Sequence, residues 1–176
     1  MIWSDEFVEL DKSVHDRPSF GCGEIELDRF IQQHALRHMA AGISTTMVLP
    51  AMEMLPTGKY PICAFYTITP SSIERATLPE SRKKKLPHYP VPVFLIAQLA
   101  VHSGCQQRGL GKITLVKALE RLWGINDFMR AYAVIVDCLN TRVEGFYSKY
   151  GFQVLYRNKG QTRMFLPMQT VRMLFQ

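Results

Sequence analysis

The sequence shows little sign of a segment that would direct the chain into or across a membrane. Its opening, MIWSDEFVELDK, is acidic and interrupted, with no basic stretch followed by an apolar one, so no signal peptide is predicted. No uninterrupted apolar run approaches the roughly 18 residues that a membrane helix requires. We therefore expect no membrane span and a cytoplasmic location.

Cysteine is scarce and scattered. The four cysteines, Cys22, Cys63, Cys105 and Cys138, form no CxxC pair and no cluster with histidine. That spacing is not typical of a zinc site, so we predict no bound metal and expect reduced thiols. Internal repeats and low-complexity tracts are absent too. A chain of 176 residues, 47% hydrophobic and 20% charged, predicts a single globular domain over residues 1–176.

The charge is only moderately unbalanced. The chain has 21 Lys and Arg residues against 15 Asp and Glu residues, which leaves a formal net charge of +6. A positive balance of this size favours an anionic partner, and a coenzyme that carries phosphates would already satisfy it. The charge therefore permits nucleic acid binding and does not require it.

The sequence pattern of the first half of the chain predicts one helix followed by a hairpin. Apolar residues recur at helical spacing from Ile25 to Ala41, and Gly42 then supplies a stop signal. Two β-branched, apolar segments, Thr45–Leu49 and Ile62–Ile68, flank a stretch of turn residues, which indicates an antiparallel pair. Residues 70–92 contain five prolines, and we expect a long loop there with room for one short helix.

The second half alternates buried strands with helices. The segment Val93–Val101 is almost continuously apolar, which is typical of a strand covered on both faces. Asn140 is a predicted N-cap and Gly151 a predicted stop after the following helix. The other predicted elements are a helix from Gly109 to about Ile125, a strand at Tyr132–Asp137, a helix at Thr141–Tyr150, and closing strands at Val154–Tyr156 and Met164–Leu166.

A glycine-bearing loop, QQRGLGK at Gln106–Lys112, joins the Val93–Val101 strand to the helix after it. The first turn of a helix leaves backbone N–H groups without partners and carries partial positive charge, so a diphosphate can dock there. Gly109 and Gly111 remove side chains that would keep phosphates away, and Arg108 adds charge. The loop matches neither a Walker motif nor the dinucleotide GxGxxG motif. The pattern alone leaves two interpretations open, an anion site and a plain turn before a core helix.

The same residues resemble a family signature. Gln106–Gly111 matches the Q/R-x-x-G-x-G/A pattern of the GNAT superfamily of N-acetyltransferases, the preceding LIAQLAVHSGC resembles its fourth strand, and GFYSKYGF is similar to its next strand–helix unit. The resemblance covers roughly residues 93–152. It implies an α/β (α+β) acyl-CoA N-acyltransferase fold with a mixed central sheet of about six to seven strands and flanking helices. It also implies acetyl-CoA as the cofactor.

The resemblance further implies which residues hold that cofactor. Backbone groups of the strand would bind the pantetheine arm, the loop amides would bind the pyrophosphate, and the residue that begins the next helix often contacts the coenzyme. In this sequence the implied positions are Leu99, Ala100, Val101, Gln106, Gln107, Arg108, Gly109, Leu110, Gly111, Lys112 and Asn140.

Acetyl transfer also needs an acid to protonate the leaving thiolate, and a tyrosine suits because its phenol keeps its proton at neutral pH. Helical periodicity does not choose between Tyr147 and Tyr150, and it is equally typical of a packed core stripe. The resemblance chooses Tyr147, through the phrase GFY. No base is assigned, since His102 and Asp137 also suit a surface and a turn, and Cys105 has no recognisable histidine partner.

The N-terminal half resembles a narrower group. The segment HDRPSFGCGEIELDRFIQQHALRHMAAGISTTMVL and the later VPVFLIAQLAV are similar to the GNAT toxins of bacterial toxin–antitoxin pairs. That resemblance implies acetylation of the α-amine of an aminoacyl-tRNA, which blocks translation. It also implies a ribbon-helix-helix antitoxin as partner and a homodimer.

Basic residues beside the expected acceptor cleft fit an RNA substrate, because tRNA binding depends mostly on phosphate neutralisation. The basic residues beside that cleft are Arg29, Arg37, Arg75, Arg82, Lys83, Lys84 and Lys85, and all of them except Arg75 are taken as candidate RNA-binding residues. The run Arg82–Lys85 is equally typical of a solvated charged surface. Two other functions stay open: a GNAT enzyme acting on a small amine or a protein amine, and a non-catalytic module that binds the coenzyme or a protein.

Overall fold

The computed structural model describes residues 1–176 and divides them into two compact units. The first unit comprises Met1–Thr69 and Ala97–Ala118, and the second comprises Pro70–Ile96 and Leu119–Gln176. The prediction of a single domain over residues 1–176 stays a prediction. No helix combines the length and the apolar character that crossing a membrane would need.

Eight strands and six α-helices make up the chain. The strands are β1 (Val8–Glu9), β2 (His15–Asp16), β3 (Thr45–Pro50), β4 (Tyr60–Ile73), β5 (Val91–Val101), β6 (Ala133–Cys138), β7 (Gln153–Asn158) and β8 (Gln161–Pro167). The helices are α1 (Ile25–Arg29), α2 (Ala35–Ala40), α3 (Glu80–Lys83), α4 (Leu110–Ile125), α5 (Thr141–Lys149) and α6 (Met168–Phe175). The expected mixed sheet with flanking helices is confirmed. The sheet has eight strands and not six to seven, because two short strands of two residues each, β1 and β2, are added to it.

In the first unit the strand order is β1–β3–β4–β5, and β2 pairs in parallel with the start of β4. The predicted hairpin is confirmed, since β3 and β4 pair antiparallel with Val48 opposite Phe65. Between Leu49 and Pro50 the register shifts, which marks a bulge. Inside the hairpin the hydroxyls of Thr46 and Thr67 lie 2.7 Å apart and satisfy each other.

The predicted helix at residues 25–41 forms at 25–40, but with one wide turn. A π-helical segment at Phe30–His34 lies between α1 and α2. The extra residue in that turn keeps Phe30, Ile31 and Ala35 buried on one side, where they pack with Phe65 and neighbouring core residues. Periodicity of 3.6 residues does not encode such a turn, because tertiary packing selects it.

In the second unit the strand order is β5–β6–β8–β7. Strand β6 pairs in parallel with β5 and antiparallel with β8, and β8 pairs antiparallel with β7. Residues 133–136 of β6 are at most 1% exposed, as predicted for a buried strand. The predicted end of α4 at Ile125 is confirmed, and the predicted helix at residues 141–150 ends one residue earlier, at Lys149.

Residues 70–92 contain the one short helix that was expected, but they correct the expectation of a long loop. Strand β4 runs on to Ile73, a 3-10 turn occupies Arg75–Thr77, α3 follows, and β5 already begins at Val91. The side chain of Arg75 donates hydrogen bonds to the backbone carbonyls of Lys83 and Leu86 at 2.8–3.2 Å. These bonds order the segment, and a proline count does not reveal them. The short strands β1 and β2 and the C-terminal helix α6 were not predicted either.

Candidate active site

The loop before α4 turns sharply at two residues. Gln107 has a φ of 61° and Gly109 a φ of 80°, both in the left-handed region. This conformation is unusual for glutamine and ordinary for glycine. Helix α4 then starts at Leu110, so the backbone N–H groups of its first turn have no intrahelical acceptor. Such a helix end can accept an anion, and anion binding by this loop stays a prediction.

The side chain of Gln106 anchors this loop. Its Nε2 donates to the carbonyl of Cys22 at 2.8 Å and to the carbonyl of Val101 at 2.9 Å. Both donor hydrogens of the amide are thereby used. Gln106 thus fastens the start of the loop to the end of β5 and to the N-terminal segment, which makes its side chain a positioning group for the predicted phosphate site.

Arg108 is also held by the N-terminal segment. Its Nη1 donates to the carbonyl of Met1 at 2.8 Å, and its guanidinium lies 4.4 Å from the centroid of the Trp3 ring. A cation over an indole face is a favourable contact. The positive charge of Arg108 is therefore fixed beside the loop, while the neighbouring Lys112 is exposed.

Strand β5 carries the predicted pantetheine positions. Its register with β6 joins Phe94 to Val134 and Leu95 to Ile135 and includes no later residue of β5. Leu99 and Val101 are half-buried and lie beyond that register, with Ala100 buried between them. This placement fits backbone groups that bind an extended ligand.

Gln98, next to Leu99, has a side chain that was not among the predicted site residues. Its Oε1 is buried and has no hydrogen-bond partner. A buried acceptor without a donor costs free energy, so an amide-bearing ligand along β5 would satisfy it. This acceptor on β5 therefore fits a pantetheine arm, whose amide N–H groups could donate to it. The available signal in the sequence was one polar residue inside the apolar run VFLIAQLAV.

In the second unit Asn140 caps α5, as predicted. Its Oδ1 accepts the backbone N–H of Val143 at 2.9 Å. The cap satisfies one of the free N–H groups of that helix end. Any contact of the Asn140 side chain with a coenzyme would therefore use the amide nitrogen.

Tyr147 lies on the buried side of α5, where its side chain is 6% exposed. Its ring makes edge contacts with Phe146 at 5.1 Å and with Phe152 at 5.2 Å between centroids. Burial, followed by the nearby Cys138 thiol, raises the pKa of the Tyr147 phenol. The hydroxyl therefore keeps its proton across the neutral range, as a general acid requires. Tyr150, by contrast, is only half-buried.

The three side chains considered as a base or nucleophile are already engaged. His102 Nδ1 accepts the N–H of Gly104 at 2.9 Å, and Asp137 accepts two hydrogen bonds from Arg163 at 2.8 and 2.9 Å. Cys105 is fully buried. The Asp137 carboxylate is thus paired and the Cys105 thiol is enclosed, and no base is assigned.

The predicted RNA-binding residues fall into both units. Arg29 and Arg37 belong to the helical segment of the first unit, where Arg37 Nη2 lies 2.9 Å from His34 Nδ1. The run Arg82–Lys85 belongs to the second unit. Within it Lys83 pairs with Glu80 at 2.9 Å, whereas Lys84 and Lys85 are exposed.

The chain is similar to known acetyltransferases. The model of the acetyltransferase (GNAT) family matches residues 79–152, a range that holds β5, the loop, α4 and α5. A protein of Sinorhizobium fredii named probable toxin TacT is 32% identical over 173 residues, covering 94% of this chain and 92% of its own. A tRNA-acetylating toxin of Mycobacterium tuberculosis is 30% identical over 139 residues, covering 79% of each chain.

Solved structures show the same fold. The chain superposes on AtaT complexed with acetyl-methionyl-tRNAfMet with a TM-score of 0.85 at 25% identity, covering 97% of this chain and 99% of that one. Against AtaTR bound with AcCoA the TM-score is 0.82 at 26% identity, with 97% and 98% covered. The chain belongs to the GNAT family of acetyltransferases, and it is an N-acetyltransferase.

Proposed function

We propose that this enzyme transfers an acetyl group from acetyl-CoA to the α-amine of an aminoacyl-tRNA and acts as a toxin by blocking translation. The main support for an aminoacyl-tRNA as the acceptor is the match to probable toxin TacT. This match spans 94% of the chain and so includes the N-terminal helical segment. The tRNA-acetylating toxin and the AtaT complex with acetyl-methionyl-tRNAfMet support the same substrate class.

The cofactor assignment is supported by the loop and by β5. The N–H groups of residues 107–112 and the first-turn charge of α4 would hold the pyrophosphate, with Arg108 and Lys112 adding positive charge. Backbone groups of Leu99, Ala100 and Val101, together with the unpaired Gln98 Oε1, would hold the pantetheine amides. Bound acetyl-CoA supplies the acetyl group as a thioester.

Tyr147 is proposed as the general acid. Its buried hydroxyl holds a proton at Oη throughout the neutral range, because burial disfavours the phenolate. A proton donor of this kind contributes about 10²–10⁴-fold to a transfer reaction. Asn140 positions α5, and with it Tyr147, through its cap.

Mass spectrometry of the reaction products tests the proposal. The full-length chain is incubated with acetyl-CoA and a mixture of charged tRNAs, and the aminoacyl ends are released and weighed. We expect an added acetyl group on the amino acid and none when the tRNA is deacylated. Acetylation of a small amine or a peptide, with charged tRNA left unmodified, would replace this proposal with the alternative enzyme. If no acceptor is acetylated, the remaining interpretation is a non-catalytic module that binds the coenzyme or a protein.

A ribbon-helix-helix antitoxin and a homodimer belong to the same proposal. Both come from the resemblance to toxins of toxin–antitoxin pairs. Light scattering of the purified chain tests the homodimer, and a monomer at all concentrations contradicts it. Co-expression with a small ribbon-helix-helix protein encoded beside this gene should restore growth if that protein is the antitoxin.

A further inference from the structure

The second unit contains a basic cavity that the proposed transfer reaction does not use. Its volume is about 710 Å³, and its lining includes four cationic side chains, Arg82, Lys85, Arg130 and Arg172, against one acidic side chain, Asp127, and the C-terminal residue Gln176. We call this the basic pocket. Its lining comes from the α3 region, from the end of α4 with the turn after it, and from α6.

Two of the guanidinium groups have defined positions. Arg82 Nη1 donates to Tyr132 Oη at 3.3 Å, and its guanidinium lies 5.6 Å from the centroid of the Phe165 ring. Arg172 Nε donates to Gln176 Oε1 at 2.6 Å. A side chain that is already ordered loses less conformational entropy when it binds a ligand. The neighbouring Lys83, paired with Glu80, does not line the cavity.

The charge of the pocket selects an anion. The four positive side chains outnumber the negative groups of the lining, so they repel one another unless an anionic ligand or counterions neutralise them. Amide side chains of Asn126 and Gln169 also line the cavity. Cations with neighbouring amides are the groups that contact phosphate and sugar in protein–nucleic acid complexes.

The pocket lies far from the proposed acid within the same unit. Tyr132, in the pocket, directly precedes β6, whereas Asn140 and α5 follow the other end of that strand. The Tyr147 phenol lies near the Cys138 thiol at that other end of β6. Since a strand advances about 3.3 Å per residue, the six residues of β6 place it about 20 Å from the Tyr132 end. A small amine at Tyr147 cannot reach the pocket. An RNA can, because its backbone carries phosphates along its whole length.

We propose that the basic pocket binds backbone phosphates of the RNA, as a second contact site remote from acetyl transfer. The choice of RNA among polyanions rests on the proposed function. The pocket accounts for Arg82 and Lys85 of the predicted cationic run, and it adds Arg130 and Arg172, which no sequence pattern indicated. Its contacts position the tRNA and carry no sequence information.

Charge reversal tests the pocket. The double variant Arg130→Glu/Arg172→Glu changes two exposed lining residues, and Lys12→Glu/Arg121→Glu changes the net charge equally at exposed residues outside the lining. Fluorescence anisotropy measures the binding of labelled, deacylated bulk tRNA across a salt series. We expect the pocket variant to bind about tenfold more weakly and to lower the slope of log K against log[salt] by about 1.5, since each lost phosphate contact removes about 0.7–0.9.

The control variant should change neither quantity by a comparable amount. Arg130→Lys/Arg172→Lys keeps the charge and should bind within about threefold of the unmodified chain, which separates lost charge from misfolding. A charge-reversed pocket with the affinity and slope of the control overturns the proposal. A second result would also overturn it. If the reversal leaves tRNA affinity unchanged but abolishes binding of a polyglutamate peptide, the occupant of the pocket is an acidic protein segment.

The kinetics separate the pocket from the proposed function. For charged tRNA the pocket variant should raise KM with kcat retained, because the pocket is remote from Tyr147. If the chain acetylates no charged tRNA but the reversal still weakens tRNA binding, the proposed acceptor is wrong and the pocket stands. If acetylation occurs and both binding and KM match the control, the pocket is wrong and the proposed function stands.

Discussion

Tyr147 shows how burial can suit one side chain to a reaction. Phenol protons are already retained near neutrality, and desolvation raises the pKa of Tyr147 further because it disfavours the phenolate. The sequence could not choose between Tyr147 and Tyr150 by periodicity. The structure separates them by environment, since the first is buried between aromatic rings and the second is half-buried.

Replacing Tyr147 with phenylalanine should lower kcat by about 10²-fold or more, because the hydroxyl proton is lost while the ring packing is kept. Acetyl-CoA binding, measured by calorimetry, should stay nearly unchanged. Tyr150→Phe is the matched control and should retain most of the activity. Full turnover by Tyr147→Phe, or equal losses in both variants, would remove Tyr147 from the acid role. In the unmodified enzyme no loss of rate from Tyr147 deprotonation is expected below about pH 10.

Gln98 gives a second test at the residue scale. Its buried, unpartnered Oε1 should destabilise the free protein and favour a ligand that donates to it. Gln98→Leu should therefore raise the free energy of unfolding by about 1 kcal/mol in urea titration and weaken acetyl-CoA binding about three- to tenfold.

Ser44→Ala is the control for that variant, because Ser44 Oγ is also buried without a partner but lies outside β5. It should stabilise the chain without changing coenzyme affinity. Unchanged acetyl-CoA binding by Gln98→Leu would show that the oxygen faces no ligand.

The loop and helix α4 act together as one element. Gly109 adopts a φ of 80° directly before α4, whose first turn leaves N–H groups without intrahelical acceptors. A Cβ at Gly109 would meet nothing within 4 Å. The requirement for glycine is therefore conformational and not steric.

Gly109→Ala should cost roughly 1 kcal/mol or more of unfolding free energy and weaken acetyl-CoA binding about tenfold, because the strained turn moves the N–H groups. Gly124→Ala, in the same helix and also facing open space, should instead stabilise the chain by about 0.5–1 kcal/mol. Urea titration and calorimetry measure the two quantities. Coenzyme affinity that survives Gly109→Ala would mean that the loop does not bind the pyrophosphate.

Elements of regular period were predictable because their signals are local. The end of α4 at Ile125, the cap at Asn140 and the β3–β4 hairpin all follow from spacing and turn residues. Spacing and turn residues did not predict the π turn at Phe30–His34 or the ordered segment at 70–92. Contacts to other parts of the chain select both, such as packing on Phe65 and the hydrogen bonds of Arg75.

At the scale of the whole molecule, stability should depend on a buried histidine. His15 is 3% exposed, and its Nδ1 accepts the N–H of Asp11 at 3.0 Å. Burial lowers the pKa of His15 below its ordinary value of 6.5, and the nearby Asp11 carboxylate only partly opposes this. The folded state therefore holds neutral His15, while the unfolded state binds a proton as the pH falls through 6.5.

Thermal stability should consequently decrease between about pH 7.5 and about pH 5.5, since protons favour the unfolded chain. His15→Asn keeps an acceptor for the Asp11 N–H and does not titrate, so its melting temperature should change less over that range. His88→Asn, at an exposed position, should keep the original dependence. A melting profile of His15→Asn that falls as steeply as that of His88→Asn would contradict this account.

The sequence by itself determined the acetyltransferase fold class, and it predicted a phosphate-binding loop and, through the family resemblance, an acid candidate. These depend on local rules, namely glycine dihedrals, helix caps and hydrophobic periods, together with a motif in one short stretch. Only the tertiary structure decided which side chains are free to act. It engaged Gln106 with Cys22, 84 residues away, and Arg108 with Met1, 107 residues away, and it left Gln98 without a partner. It also separated Lys83 from Arg82 and Lys85 and placed Arg130 and Arg172 beside them. Partners so distant along the chain leave no local pattern, because only folding brings them within hydrogen-bonding distance.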